Sequence, residues 1–165
     1  MTVGRASRAQ LLIVLAVLIV LHFYVRPRLW DARVSPDFLM IALMVFAMRS
    51  RPGDAAIAGF LVGLTTDALS PARFGAAALA STLVAYAASW GRAVFFADNL
   101  LVNAGMIAAG VWLRNLIVLV ASGSSQGQFF SELAVYGPLQ ALITAVFGVL
   151  ILLAFREWFA IRLDV

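Results

Sequence analysis

The chain of 165 residues is too apolar for a water-soluble domain, because hydrophobic residues make up 64% of it and charged residues only 12%, against roughly 45–50% and 25% in soluble proteins. Its twelve basic residues are all arginines, but they stand singly or in pairs between apolar stretches and form no run that would bind nucleic acid. The chain has no cysteine, which excludes disulfide frameworks and thiol nucleophiles.

Six apolar segments are the candidate membrane spans: 9–25, 36–48, 54–69, 74–90, 100–121 and 133–155. The first follows Arg5 and Arg8 and lacks a small-residue cleavage site, so we interpret it as an uncleaved anchor. The second is short for a hydrocarbon core of roughly 30 Å and must recruit flanking residues or bury one end. We predict an all-α integral membrane protein, a compact bundle of about six transmembrane helices in a single domain, 1–165.

The connections between these segments carry helix-start and turn signals. Ser35 or Asp37 is placed to cap the second helix. Pro52 and Gly53 break the chain before the third helix. The polar stretch 70–73 is so short that the third and fourth segments are expected to form an antiparallel hairpin.

The distribution of arginines predicts the orientation in the membrane. With a cytoplasmic N-terminus, seven arginines fall inside: Arg5, Arg8, Arg49, Arg51, Arg92, Arg156 and Arg162. Four fall outside: Arg26, Arg28, Arg33 and Arg73. We therefore expect both termini to be cytoplasmic.

Small and polar residues predict the packing faces, because lipid tails provide no hydrophobic drive between helices. Gly59, Gly63 and Asp67 recur every four residues and share one stripe on the third helix, which we predict to be a buried seam. On the sixth segment, Gln140 and Thr144 share another face.

The fifth segment contains an arginine, which is costly inside a membrane and requires a partner or a path to water. Arg114 shares a helix face with Asn103, and in the predicted orientation it lies in the same half of the membrane as Asp67. We hypothesise that Asp67 and Arg114 neutralise one another, directly or through water. Asp67, Asn103, Arg114 and Gln140 form the candidate intramembrane polar network.

No catalytic, cofactor or metal site is predicted from the sequence. The chain has one histidine, His22, and no pair of carboxylates shares a helix face, so neither a catalytic triad nor a metal cluster assembles. Walker-type and dinucleotide-binding glycine signatures are also absent. These absences favour a scaffold or carrier over an enzyme.

Residues 59–69 read GFLVGLTTDAL and are followed by Phe74, Gly75 and an alanine-rich helix. This stretch resembles the central signature of the rod shape-determining MreD family, in which a Gly-Phe-x-x-Gly-Leu-x-x-Asp run and a short turn precede a glycine that opens a small-residue helix. The matching positions are Gly59, Gly63, Asp67 and Gly75. The resemblance covers essentially the whole chain, although the last two segments match in hydropathy only.

The resemblance implies a multi-pass protein of the bacterial inner (cytoplasmic) membrane that takes part in cell elongation and peptidoglycan synthesis. It implies binding to the transmembrane helix of MreC, to RodA and its penicillin-binding transpeptidase, and indirectly to the actin-like MreB, with membrane lipid around the bundle. It also implies a fold similar to the substrate-binding subunits of energy-coupling-factor vitamin transporters.

Two functions are open at this point. The first is a non-catalytic binding module that packs against partner helices. The second is a transporter subunit that captures a vitamin in a polar cavity, which Asp67, Asn103, Arg114 and Gln140 could line.

Overall fold

The structure, a computed structural model, describes residues 8–29, 31, 33–69, 74–94, 100–123 and 126–155. Its α-helices are α1 (Arg8–Val20), α2 (Phe38–Ala47), α3 (Pro52–Ala68), α4 (Ala76–Val94), α5 (Leu100–Ala121), α6 (Gln126–Ser131) and α7 (Gly137–Ala154). A π-helical segment, Leu21–Val25, extends α1, and a second, Glu132–Tyr136, joins α6 to α7. The described residues contain no strand, so the prediction of an all-helical fold is confirmed for them.

Helices lie in all six apolar segments, but they differ in how well they suit a membrane crossing. Helix α5 is long and apolar enough to cross a membrane. So is the helical stretch Phe129–Ala154, which runs from the end of α6 through the π-helical segment to the end of α7. The apolar helix α2 and the apolar stretch Ala76–Gly91 of α4 are shorter. The six-span topology with cytoplasmic termini therefore stays a prediction.

Helix α2 is the centre of the bundle. Every residue of α2 except Phe46 is buried, and the helix contacts α1, α3, α4, α5 and α7. A helix that is apolar all round is stable only when other helices or lipid surround it. The short length of this segment is thus matched by burial against protein on all sides.

The outer surface of the bundle is apolar. Among the most exposed side chains are Ile57 on α3, Leu101 on α5 and Leu142 on α7. Apolar surface distributed over several helices is a liability in water, whereas it suits the hydrocarbon of a bilayer. Polar residues such as Asp37, Asp67 and Thr144 are buried instead.

Candidate functional site

The α3–α4 hairpin packs backbone against backbone at two glycines. A Cβ atom built on Gly59 would lie 2.8 Å from the carbonyl carbon of Ser81, and one built on Gly63 would lie 2.6 Å from that of Ala77. Neither distance is possible for a real side chain, so only glycine permits this approach. Small residues at such seams allow the close van der Waals packing that holds helices together in lipid.

The same hairpin is closed at one end by Asp67. Its two carboxylate oxygens accept hydrogen bonds from the backbone N–H groups of Ala77 at 3.1 Å and Ala78 at 2.8 Å. These N–H groups belong to the first turn of α4, where no helix carbonyl is available to them. Asp67, near the end of α3, therefore acts as the N-terminal cap of α4.

Gly75 explains why the cap comes from another helix. It precedes α4 directly, its carbonyl accepts the backbone N–H of Leu79 at 3.0 Å, and its φ of 95° is in the region that favours glycine. Glycine has no side chain with which to cap the helix, and Asp67 supplies the missing acceptors. The four motif residues Gly59, Gly63, Asp67 and Gly75 thus all serve one hairpin. The turn at 70–73 lies outside the described residues.

A second polar group lies where α1, α2, α5 and α7 meet. Asp37 Oδ1 is 3.3 Å from His22 Nδ1, and Asp37 Oδ2 is 3.5 Å from Arg114 Nη1. The side chains of Asp37 and Arg114 are only 4% and 12% exposed. The backbone N–H of Asp37 donates to Thr144 Oγ1 at 3.1 Å. Asp37 is thereby connected through its carboxylate to His22 and Arg114 and through its backbone to Thr144.

Asp37 also caps α2. The sequence predicts either Ser35 or Asp37 as this cap, and the structure confirms Asp37. Its Oδ1 accepts a hydrogen bond from the backbone N–H of Met40 at 3.0 Å.

His22 in turn has Arg26 Nη1 at 3.4 Å from its Nε2. Because an arginine can only donate, Nε2 must accept there. Nδ1 also lies 3.2 Å from the backbone N–H of Leu39, which needs an acceptor, whereas the Asp37 carboxylate needs a donor at the same atom. No single tautomer of His22 therefore satisfies all three contacts.

Polar contacts continue from Arg114 to the loop before α2. Arg114 Nη1 lies 3.5 Å from Asn115 Oδ1, and Asn115 Nδ2 donates to Gln140 Oε1 at 2.7 Å. Gln140 Nε2 donates to the carbonyl of Ser35 at 3.2 Å. This chain of contacts joins α5, α7 and the loop that carries Asp37.

The structure shows no direct ion pair between Asp67 and Arg114, so that form of the hypothesis is wrong. Both oxygens of Asp67 bond to the start of α4, and Arg114 is paired with Asp37 instead. Of the predicted network, Arg114 and Gln140 come together through Asn115. Asn103 is buried near the start of α5, about 16 Å along the helix from Arg114 at 1.5 Å per residue.

Three members of this group, His22, Asp37 and Asn115, were not predicted as site residues. Asp37 was recognised only as a helix cap. An acidic residue at the entrance of the most apolar helix is a signal that could have indicated a buried ion pair, since it has an intramembrane arginine as an available partner.

A cavity of about 330 Å³ lies beside this polar chain, between α5 and the start of α7. Its lining residues are Arg33, Trp112, Asn115, Leu116, Val118, Leu119, Glu132, Leu133, Tyr136, Gly137 and Gln140. The volume is at the lower end of the range for small-molecule sites, roughly 300–1,000 Å³. Among the described residues, no group of three or more His, Cys, Asp or Glu side chains could hold a metal ion.

The fold and these contacts define a class of protein: a helical membrane protein whose polar residues hold its own helices in place. The chain matches the family model of the rod shape-determining protein MreD over residues 5–160 and belongs to that family. The resemblance read from residues 59–76 is thereby confirmed. No curated protein and no solved structure matches the chain, so the expected likeness to vitamin-transporter subunits has no support from a solved structure.

Proposed function

We propose that this bacterial membrane protein, a rod shape-determining protein by its family, acts as a non-catalytic, multi-pass component of the inner membrane. In this proposal it binds the transmembrane helix of MreC. Through MreC it associates with RodA and its transpeptidase, and indirectly with MreB, in the machinery of cell elongation and peptidoglycan synthesis.

The observation that carries the proposal is that the bundle keeps polar and charged side chains in its interior while many large apolar side chains lie on its surface. The buried carboxylates of Asp37 and Asp67 and the mostly buried guanidinium of Arg114 all contact groups of the bundle itself. Large apolar side chains are left on the outside, for example Leu79 and Leu83 on α4. A rigid bundle of this kind suits the packing of further helices against its surface, with each helix pair contributing modestly.

Co-purification tests the proposal. The chain is expressed with a tagged MreC transmembrane segment in a bacterial membrane and solubilised in mild detergent. The control is an unrelated single-span helix with the same tag and expression level. We expect the tagged MreC helix to retain the chain and the control helix not to retain it. Equal retention by both helices, or by neither, would contradict direct binding.

Complementation tests the cellular role separately. Cells that lack their own family member are expected to regain rod shape when they express this chain with its matching MreC. Purified protein that turns over a substrate unaided would overturn the non-catalytic proposal.

The cavity of about 330 Å³ favours a second candidate, a subunit that captures a small molecule. In that case the purified protein would melt at a higher temperature in the presence of a vitamin, and cells without it would require that vitamin rather than lose their shape.

A further inference from the structure

The cavity beside α5 has one charged rim and one apolar wall. Arg33 reaches it from the loop before α2, and Glu132 and Tyr136 reach it from the π-helical segment before α7. Leu116, Leu119 and Leu133 form part of the apolar lining. A molecule that fills this space must have both a polar part and an apolar part.

The rim contains one charge of each sign in an exchangeable contact. Arg33 Nε lies 3.6 Å from Glu132 Oε1, with side chains 57% and 35% exposed. The Arg33 guanidinium carbon also lies 5.2 Å from the centre of the Tyr136 ring. Ion pairs as exposed as this one are weak, so a ligand can replace either partner at little cost.

Two side-chain amides, those of Asn115 and Gln140, also line the cavity and provide hydrogen-bond donors. Asn115 Nδ2 and Gln140 Nε2 each use one N–H group, toward Gln140 Oε1 and the Ser35 carbonyl respectively. Each NH₂ group carries a second N–H. Together with the Arg33 guanidinium, these groups match the acceptor oxygens of a phosphate.

We propose that this cavity binds the polar end of a zwitterionic amphiphile that carries a phosphate and a primary ammonium, as an aminophospholipid does. Arg33, Asn115 and Gln140 take the phosphate oxygens. Glu132 and the face of Tyr136 take the ammonium, which carboxylates and aromatic rings both attract. The apolar chains run along the leucine-lined wall.

The two charges on the rim distinguish this ligand from simpler ones. An anion without an ammonium would meet the carboxylate of Glu132, and a cation without a phosphate would meet Arg33. Only a ligand of both signs satisfies both residues. This inference goes beyond the proposed function and is independent of MreC, so co-purification with MreC can succeed or fail without affecting it.

Native mass spectrometry of the 165-residue chain in nonionic detergent tests the proposal with three probes: short-chain phosphatidylethanolamine, short-chain phosphatidylglycerol and free phosphoethanolamine. We expect the aminophospholipid to bind at least about tenfold more tightly than the glycerol lipid. Free phosphoethanolamine, which lacks the chains, should bind at least about tenfold more weakly than the aminophospholipid.

Two variants on the exposed rim test which residues are responsible. Arg33→Gln should weaken binding of both lipids, whereas Glu132→Gln should abolish the preference for the aminophospholipid. Arg51→Gln is the matched control, because Arg51 is an exposed arginine just before α3 and does not line the cavity. It should bind as the wild type does.

The melting temperature of each variant without lipid separates a binding defect from a folding defect. The proposal is overturned if the wild type binds the two lipids equally, or if both rim variants bind like Arg51→Gln. Equal affinity for free phosphoethanolamine and the aminophospholipid would overturn the role of the apolar wall.

Discussion

The carboxylate of Asp37 lies 3.5 Å from the guanidinium of Arg114, although 77 positions separate the two residues in the chain. The contact joins the first residue before α2 to the second half of α5. Asp37 is buried and the side chain of Arg114 is only 12% exposed, so both charges are largely removed from water and each compensates the other. Removal of one partner from a buried pair leaves an uncompensated charge, and this costs more than the intact pair contributes.

We therefore expect Arg114→Gln to lower the free energy of unfolding by roughly 3–5 kcal/mol. The double variant Asp37→Asn with Arg114→Gln should lose less than the sum of the two single losses, by about 1 kcal/mol or more. Unfolding of the purified protein in detergent measures all three, with Arg51→Gln as the exposed control. Strict additivity would show that the two side chains do not interact.

The glycine seam between α3 and α4 gives a second prediction. Gly63→Ala forces a methyl group against the backbone of Ala77, so the helices must separate at a cost of about 1–3 kcal/mol. Gly105→Ala is the matched control, because Gly105 is exposed on α5 and a Cβ there meets nothing within 4 Å. It should be neutral or stabilising, by up to about 1 kcal/mol. Similar melting temperatures for the two variants would refute close packing at Gly63.

The cap of α4 gives a third prediction, which separates hydrogen bonding from charge. Asp67→Ala removes both acceptors from the N–H groups of Ala77 and Ala78 and should cost about 1–2 kcal/mol, as other N-cap losses do. Asp67→Asn keeps one acceptor oxygen and should lie between alanine and wild type. Asp54→Asn, at an exposed site in the first turn of α3, controls for the lost charge. If Asp67→Asn and Asp67→Ala lowered the free energy of unfolding equally, Asp67 would act through its charge and not through its hydrogen bonds.

Gly75 gives a fourth prediction, because there is room around it for a side chain but its backbone conformation disfavours any residue other than glycine. A Cβ there meets nothing within 4 Å, but φ is 95°. Gly75→Ala should therefore cost about 1–2 kcal/mol through backbone strain alone. Gly53→Ala, at a glycine that is equally open and has no positive φ, should cost less. Thermal unfolding compares the two, and equal melting temperatures would contradict strain as the cause.

The hairpin could be predicted from the sequence because its signals are local. Gly59, Gly63 and Asp67 lie at a spacing of four on one helix, and the turn that follows is short, so the seam and its antiparallel partner follow from helix geometry. The role of Asp67 as a cap could not be read in this way. It depends on the three-dimensional path of the turn, which places the unpartnered N–H groups at the start of α4 next to the end of α3.

The ion pair could not be predicted because it depends on distances across the bundle. Spacing along α5 placed Arg114 on a face with Asn103 but gave no means to choose between Asp67 and Asp37 as its partner. The choice is made by the position of α2 at the centre of the bundle, which brings Asp37 to α5. The energetic cost of an arginine inside a membrane indicates that Arg114 needs a partner. Only the tertiary packing shows that this partner is Asp37.

The last prediction concerns orientation in the membrane, which can be measured without background because the chain has no cysteine. Single cysteines replace three exposed residues: Arg28 after α1, Arg51 before α3 and Gly127 in α6. Arginine counting places Arg28 and Gly127 outside and Arg51 inside. A membrane-impermeant maleimide added to cells with a permeabilised outer membrane should therefore label the first two and spare the third.

Lysis of the cells should then expose Arg51→Cys to the reagent, which shows that its thiol is reactive. If only Arg51→Cys were labelled while the inner membrane is intact, the orientation would be the opposite of the predicted one. Labelling of Arg28→Cys but not Gly127→Cys, with both reactive after lysis, would mean an odd number of crossings between them. The six-span topology requires four crossings there, because α2, α3, α4 and α5 lie between the two positions.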